Sequence, residues 1–398
     1  MTLRFENIGI RNWGSLSPLG HTAEQIVEAY RNGESALVRK TFDDQEFWVG
    51  SLEDSTEKIV SQIRDENRNY ERLDRSVLLA LYASRQAASV LTEESRKECG
   101  VFIGSSRGAT ETWEREHERF LTHEQQKTHP LTSPLTTLGN LSYWVAQDLR
   151  SQHYNSSLSI TCSTSLHALV NACMWLQNGE GKYFLAGGSE AALTPFTMAQ
   201  MKAIKALQTD TTQEFPCQSM VWDKTQNTMV LGEGAAMALL ERNPEPENVL
   251  AYVKQIGVAR ESIDGHTSID RDGQGLYEAM KAATDGIPLN EIDAVVLHAP
   301  GTKAGDLAER TAIERLFGPE IPALTSNKWK IGHTFGASGM LSLEMAVNIL
   351  SEQYFIQNPL YSCNLTGPIN RILVNAIGFG GNAISVLIQR NWEKLHGN

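Results

Sequence analysis

The sequence predicts a layered α/β protein. Short apolar runs of strand length alternate with longer stretches of helical periodicity. One such run stops at a cysteine and passes at once into a helical pattern, and glycines close strand-like runs in both halves of the chain. In chain order the predicted strands are 100–104, 158–161, 183–186, 229–231, 235–240, 294–297 and 383–387, and the predicted helices are 75–91, 163–177, 307–316 and 340–351. The segment 111–129 is charged, has few apolar anchors and reads as a solvated or capping insertion. Asn243-Pro244-Glu245-Pro246-Glu247 reads as a linker, which divides the chain into halves of residues 1–245 and 246–398. The halves echo each other. A strand ending at Cys162 is matched by one ending at His298, and Phe184-Leu185-Ala186-Gly187-Gly188 is matched by Asn375-Ala376-Ile377-Gly378-Phe379-Gly380-Gly381.

A chain of 398 residues, 41% hydrophobic and 21% charged, is long enough to bury a large core. Its 47 acidic residues against 35 Lys and Arg give a formal net charge of −12, which excludes the basic signature of a nucleic-acid or membrane-surface binder. Met1-Thr2-Leu3-Arg4-Phe5-Glu6-Asn7 lacks the layout of a signal peptide, and no uncharged apolar stretch is long enough to span a bilayer. Cys99, Cys162, Cys173, Cys217 and Cys363 are scattered, without a C-x-x-C pair. The expectation is a cytoplasmic protein with reduced thiols and no metal site.

Cys162 is the leading candidate for chemistry. Leu166, Leu169, Val170, Cys173 and Met174 recur at helical spacing after it, and Asn178-Gly179 supplies a stop. A cysteine at a strand-to-helix turn has free backbone N–H groups and the positive end of a helix dipole beside it, which favours the thiolate. A cysteine in apolar surroundings is otherwise a small buried hydrophobe.

His298 closes the apolar run 294–297 at the carboxyl end of a strand, where open α/β sheets place ligands. It is a candidate acid, base or hydrogen-bond donor, or a ring satisfied by its own loop. Residues 327–339 place Lys328 close to His333, so that charge repulsion would hold the ring neutral; Lys330 reads as a surface charge. Gly378-Phe379-Gly380-Gly381 precedes a strand and so is no dinucleotide fingerprint. It is a tight turn or, beside a nucleophile, half of an oxyanion hole. Leu231-Gly232-Glu233-Gly234 looks structural.

In order and spacing these motifs resemble the β-ketoacyl-acyl-carrier-protein synthases, condensing enzymes of the thiolase fold. The matching pieces are Thr161-Cys162-Ser163-Thr164-Ser165; His298 with Gly301-Thr302 and Gly305-Asp306; Lys328 with Gly332-His333 and Gly336-Ala337-Ser338-Gly339; Leu231-Gly232-Glu233-Gly234; and Gly378-Phe379-Gly380-Gly381. The resemblance implies a five-layered α-β-α-β-α architecture of two duplicated halves, the first with the nucleophile and the second with both histidines. It further implies decarboxylative Claisen condensation with Cys162 as nucleophile and the N–H groups of Cys162 and Phe379 as oxyanion hole. His298 and His333 would donate to the malonyl thioester carbonyl, and Lys328 would set the histidine protons. Thr302 would contact pantetheine, Phe379 would gate the acyl pocket, and Asp306 and Glu309 would brace the site. Neither cofactor nor metal is implied. The implied partners are acyl-carrier protein, met on a local basic patch that could include Lys202, Lys205 or Arg68, and a second subunit: a homodimer, or a heterodimer with a chain-length factor.

The chain departs from the family at three places. Pro300 stands where the family usually has threonine, and Ser342 where it has a glutamate nine residues after the second histidine, with Glu344 on a different helix face. Arg107 stands where fatty-acid-making relatives carry a small or apolar residue near the far end of the acyl pocket, which points to a polar, aryl or polyene chain. Three rivals stay open: a non-catalytic chain-length partner, which usually lacks the cysteine; a thiolase, which needs a second reactive cysteine in a C-terminal loop; and a carrier-binding scaffold without turnover.

Overall fold

The computed structural model describes residues 1–123, 127–210, 212–262, 265, 269–363 and 365–391. Its strands are β1 (Thr2–Arg4), β2 (Ile8–Leu16), β3 (Val38–Phe42), β4 (Gln45–Gly50), β5 (Cys99–Gly104), β6 (Asn155–Leu158) and β7 (Tyr183–Glu190) in the first part of the chain. They continue with β8 (Leu231–Gly232), β9 (Gly234–Arg242), β10 (Ala251–Arg260), β11 (Ala294–Val296), β12 (Ala323–Thr325), β13 (Arg371–Gly378) and β14 (Asn382–Arg390). The order β6-β5-β7-β9-β2 in the first half is repeated as β12-β11-β13-β14-β10 in the second. In both, the outer three strands run parallel and the next two pairings are antiparallel. The two sheets meet where β2 pairs with β10 at only two positions, Ala251 with Ile10 and Tyr252 with Gly9.

Helices Thr164–Gln177 and Ser338–Glu352 fill the space between the sheets. Ser338–Glu352 is apolar almost all round, as its burial requires, whereas Thr164–Gln177 keeps one face, with His167, Asn171, Met174 and Trp175, only partly covered. Arg75–Ala87 and Asn140–Leu149 cover the outer face of the first sheet, and Gln274–Ala283 and Lys303–Phe317 that of the second. The result is the expected α-β-α-β-α layering of two duplicated halves. β5 and β7, whose apolar runs suit central or interface strands, are interior strands, and the described sheet ends at β6 on one side and β12 on the other. Among the described residues no helix is long and apolar enough to cross a membrane.

Several expectations shift. The strand predicted at 158–161 is β6, ending at Leu158, and that predicted at 229–231 shrinks to β8. Part of segment 111–129 is the helix Thr110–Thr122, packed on Thr132–Thr136; residues 124–126 lie outside the described residues. The internal echo is also re-registered. The match of β7 with β13 holds, but Cys162 follows β6, whose counterpart β12 leads to Lys328, while His298 follows β11, the counterpart of β5.

Candidate active site

Cys162, His298 and Lys328 follow the carboxyl ends of β6, β11 and β12, and His333 follows the short helix Lys328–Ile331 that β12 leads into. Cys162 sits between β6 and the helix Thr164–Gln177, in a turn tied by its own side chains. Thr164 Oγ1 donates to Thr161 O at 2.5 Å and accepts from Ile160 N at 2.7 Å, and Ser163 Oγ donates to Ile160 O at 3.0 Å. Thr161, just before the cysteine, has φ of 49°, Ala299, just after His298, has 23°, and Phe335, two past His333, has 42°. Each such residue costs about 1–3 kcal/mol, a strain that packing must offset.

His298, His333 and Cys162 line one cavity of about 220 Å³, shared with Thr302, Phe335 and Phe379. The two imidazoles stand at 88° with their centroids 5.2 Å apart. His333 Nδ1 accepts the backbone N–H of Phe335 at 3.1 Å, which fixes the ring proton on Nε2. The β13–β14 turn lies against the nucleophile: Thr161 Oγ1 donates to Phe379 O at 3.2 Å, and a Cβ on Gly378 would fall 1.9 Å from Thr161 Oγ1 and 2.9 Å from Cys162 N. Only glycine permits that approach.

The turn beside the helix start favours the thiolate, and the surroundings of Cys162 work against it. Burial pushes the Cys162 thiol up to about 12, the Glu190 carboxylate adds to this, and Lys328 and the backbone N–H oppose it without winning. The thiol is therefore protonated at rest and must lose its proton as it attacks. Burial depresses both histidines, His298 well below its usual range and His333 to about 3, and Lys328 adds to the effect on each. Both rings are neutral donors at physiological pH.

The remaining candidates take distinct places. Glu309 accepts from His298 N at 3.0 Å, Ala299 N at 2.8 Å and Asn375 Nδ2 at 3.0 Å, and so fixes the first histidine loop. Asp306 forms a fully buried ion pair with Lys224 at 2.7 Å and accepts from Gly301 N at 3.0 Å. Thr302 Oγ1 is buried without a hydrogen-bond partner. Phe379 is exposed at the cavity wall. Arg107 is half-buried, outside the lining: its guanidinium lies 5.6 Å from the centroid of Phe335, it bonds Gln200 Oε1, and its Nε is buried without a partner. Lys330 is not a surface charge. It is buried, and its ammonium donates to Asn32 O, Asn32 Oδ1 and Glu34 O. Lys328 bonds Ser342 Oγ at 2.9 Å, whereas Glu344 turns to Ser15 Oγ.

Sequence reasoning missed Glu190, which accepts from Ser105 Oγ, Ser106 N and Arg107 N after β5 and from Gly336 N beyond His333. A Cβ on Gly336 would lie 2.4 Å from Ser106 N, so that glycine lets the two loops meet on one carboxylate. The signal was present: an acid closing the buried run Gly187-Gly188-Ser189 at a strand end. Lys224 and Asn375 were also missed.

Comparison with known proteins gives the family and the fold. The profile of the β-ketoacyl synthase N-terminal domain matches residues 6–245, and that of the C-terminal domain matches residues 250–361. The 3-oxoacyl-[acyl-carrier-protein] synthase 2 of Vibrio harveyi is 29% identical over 414 residues, 96% of this chain and 98% of its own. The chloroplastic 3-oxoacyl-[acyl-carrier-protein] synthase II of Arabidopsis thaliana is 28% identical over 411 residues, 95% of this chain and 74% of its own. Among solved structures, the ishigamide ketosynthase/chain length factor superposes with a TM-score of 0.83 at 21% identity, over 98% of this chain and 100% of that one. A β-ketoacyl synthase from Burkholderia phymatum gives 0.81 at 21% identity, with the same coverage. At these identities the two structures speak for the fold alone.

Proposed function

This chain belongs to the β-ketoacyl synthase family and is a ketosynthase-type acyltransferase, and we propose that it condenses a Cys162-bound acyl chain with malonyl-acyl-carrier protein in fatty acid or polyketide biosynthesis. The observation that carries this reading is the pair of neutral imidazoles, 5.2 Å apart, in the cavity that also holds the Cys162 thiol. Two neutral donors suit a developing enolate oxygen, because they stabilise charge that appears only in the reaction.

In the first step Cys162 Sγ attacks the acyl thioester, its proton leaves with the departing pantetheine thiol, and the N–H groups of Cys162 and Phe379 hold the oxyanion. In the second, His298 and His333 donate to the malonyl thioester carbonyl. The carbon–carbon bond to the carboxylate breaks, carbon dioxide departs, its electron pair passes through the enolate to the acyl carbon, and Cys162 leaves as a thiolate that takes a proton from water. Thr302 Oγ1 contacts the pantetheine arm, and Phe379 gates the acyl pocket. Residues 1–245 thus carry the nucleophile and 246–398 both histidines. Arg107, stacked behind Phe335, sets the far end of the pocket for a polar, aryl or polyene chain rather than a long saturated one.

The acidic carrier protein meets exposed lysines at the cavity mouth, where Lys202 and Lys205 flank the lining residues Met201, Ile204 and Ala206. The enzyme works in the cytoplasm as a homodimer, or beside a chain-length subunit like the one in the complex of the ketosynthase ApeO from Xenorhabdus doucetiae. The test is intact-protein mass spectrometry after incubation with a panel of acyl-carrier proteins. An acyl adduct on the wild type and none on Cys162→Ala is the expected result. No adduct from any donor would overturn the reading in favour of a chain-length partner or scaffold.

A further inference from the structure

Lys328 is 1% exposed, yet both oxygens that bind its side chain are neutral. Its Nζ donates to Asn327 Oδ1 at 2.8 Å and to Ser342 Oγ at 2.9 Å, and the Ser342 hydroxyl donates in turn to Asn327 Oδ1 at 3.3 Å, closing a triangle. Among the described residues no carboxylate reaches ion-pair distance of this lysine, in contrast to Lys224, which meets Asp306 at 2.7 Å. A hydroxyl and an amide oxygen solvate an ammonium but do not neutralise it, so they hold a buried lysine in either protonation state.

The other titratable groups around it do not change this. Glu309 and Asp306, on the helix Lys303–Phe317, and the thiols of Cys162 and Cys217 act on Lys328 only through space. Asp306 is already paired with Lys224, and Glu309 accepts from two backbone N–H groups and Asn375. His298 and His333 are neutral neighbours that feel the lysine's charge. On the far side, Glu344 acts on Tyr30 through space and accepts from Ser15 Oγ.

We infer that Ser342 makes the charge on Lys328 conditional on pH, so that this hydroxyl, standing where a carboxylate would lock the ammonium, sets the alkaline limit of decarboxylation. The inference rests on the ketosynthase reading above. An ammonium beside the two histidines favours the enolate oxygen formed as carbon dioxide leaves, and a neutral amine there does not. Burial already draws Lys328 down to about 8. Ser342 acts through Lys328 and is a positioning residue.

The experiment measures decarboxylation of malonyl-acyl-carrier protein by the full chain carrying Cys162→Ala. With no acyl-enzyme to attack, the enolate takes a proton from water and leaves as the acetyl thioester. Rates are followed over roughly pH 6–10 with Ser342 intact and with Ser342→Ala, Ser342→Thr and Ser342→Asp. The readout is the pH of the alkaline half-point, which a smaller folded fraction does not move. The expected order is Ala below Ser, Thr alongside Ser, and Asp above Ser by about one to three pH units, the range for an opposite charge in contact. Coincident half-points in all four proteins would overturn the inference while leaving the ketosynthase reading intact. No decarboxylation with Ser342 present, at any pH, would overturn both.

Discussion

His333 Nδ1 accepts the backbone N–H of Phe335 at 3.1 Å, so the one proton of a neutral ring sits on Nε2. Burial and Lys328 hold that ring at about 3, below the unfolded value of 6.5. The stability tied to the neutral ring is therefore complete above pH 6.5 and is lost as pH falls toward 3. Decarboxylation should show no imidazole inflection near 6.5. His333→Ala and His298→Ala should each slow it by about 10²–10³-fold, the effect of losing one oxyanion donor, while mass spectrometry still finds acyl-Cys162. An acid limb centred near 6.5 would contradict a neutral resting pair.

Glu344 behaves in the opposite sense. Burial raises its carboxyl to about 7 against 4.5 unfolded, with Ser15 and Trp13 opposing. The stability tied to it is full below 4.5 and is lost as pH rises through 7, by about 3 kcal/mol at most. Thermal midpoints of the wild type should drop between about pH 5 and pH 8, and Glu344→Gln should narrow that drop and be the more stable protein at the higher pH. An unchanged gap would show that Glu344 is not the titrating group.

Lys224 and Asp306 form an ion pair with both side chains 1% exposed. Lys224→Met strands a buried carboxylate and should cost about 3–5 kcal/mol in denaturant unfolding. Adding Asp306→Leu should recover much of that. The double variant would still lose the bond to Gly301 N, which precedes Thr302, so its KM for the carrier-linked substrate should rise more than its kcat falls.

Arg107 stacks on Phe335 behind the cavity wall and leaves its Nε unpaired. Arg107→Ile should shift acyl transfer toward longer saturated chains by about tenfold or more, since an apolar pocket end gains roughly 0.8 kcal/mol for each methylene it buries. A wild type that already prefers long saturated chains would contradict the role given to Arg107.

The site was more legible in the sequence than the sheets were. Cys162, His298 and His333 each end a strand run or follow a glycine, positions that local pattern reveals. β2 and β10 went unread because each carries a bulge, at Ile10/Asn12 and Val253/Gln255, that breaks the two-residue alternation. β13 went unread as a strand because buried Asn375 interrupts its apolar run to bond Glu309. The environment of Cys162 was only half visible: the helix that follows it is local, but the Glu190 carboxylate that raises its thiol stands 28 residues further along the chain. The Lys330 ammonium likewise finds its three oxygens on a loop near the N-terminus.

The central claim is that one cavity both acylates Cys162 and decarboxylates the malonyl partner. The most direct measurement presents pre-acylated enzyme with malonyl-acyl-carrier protein and follows the carrier by intact mass. The account expects the wild type to convert malonyl-carrier to β-ketoacyl-carrier, and Cys162→Ala to give acetyl-carrier alone. Malonyl-carrier left unchanged by the acylated wild type would contradict it.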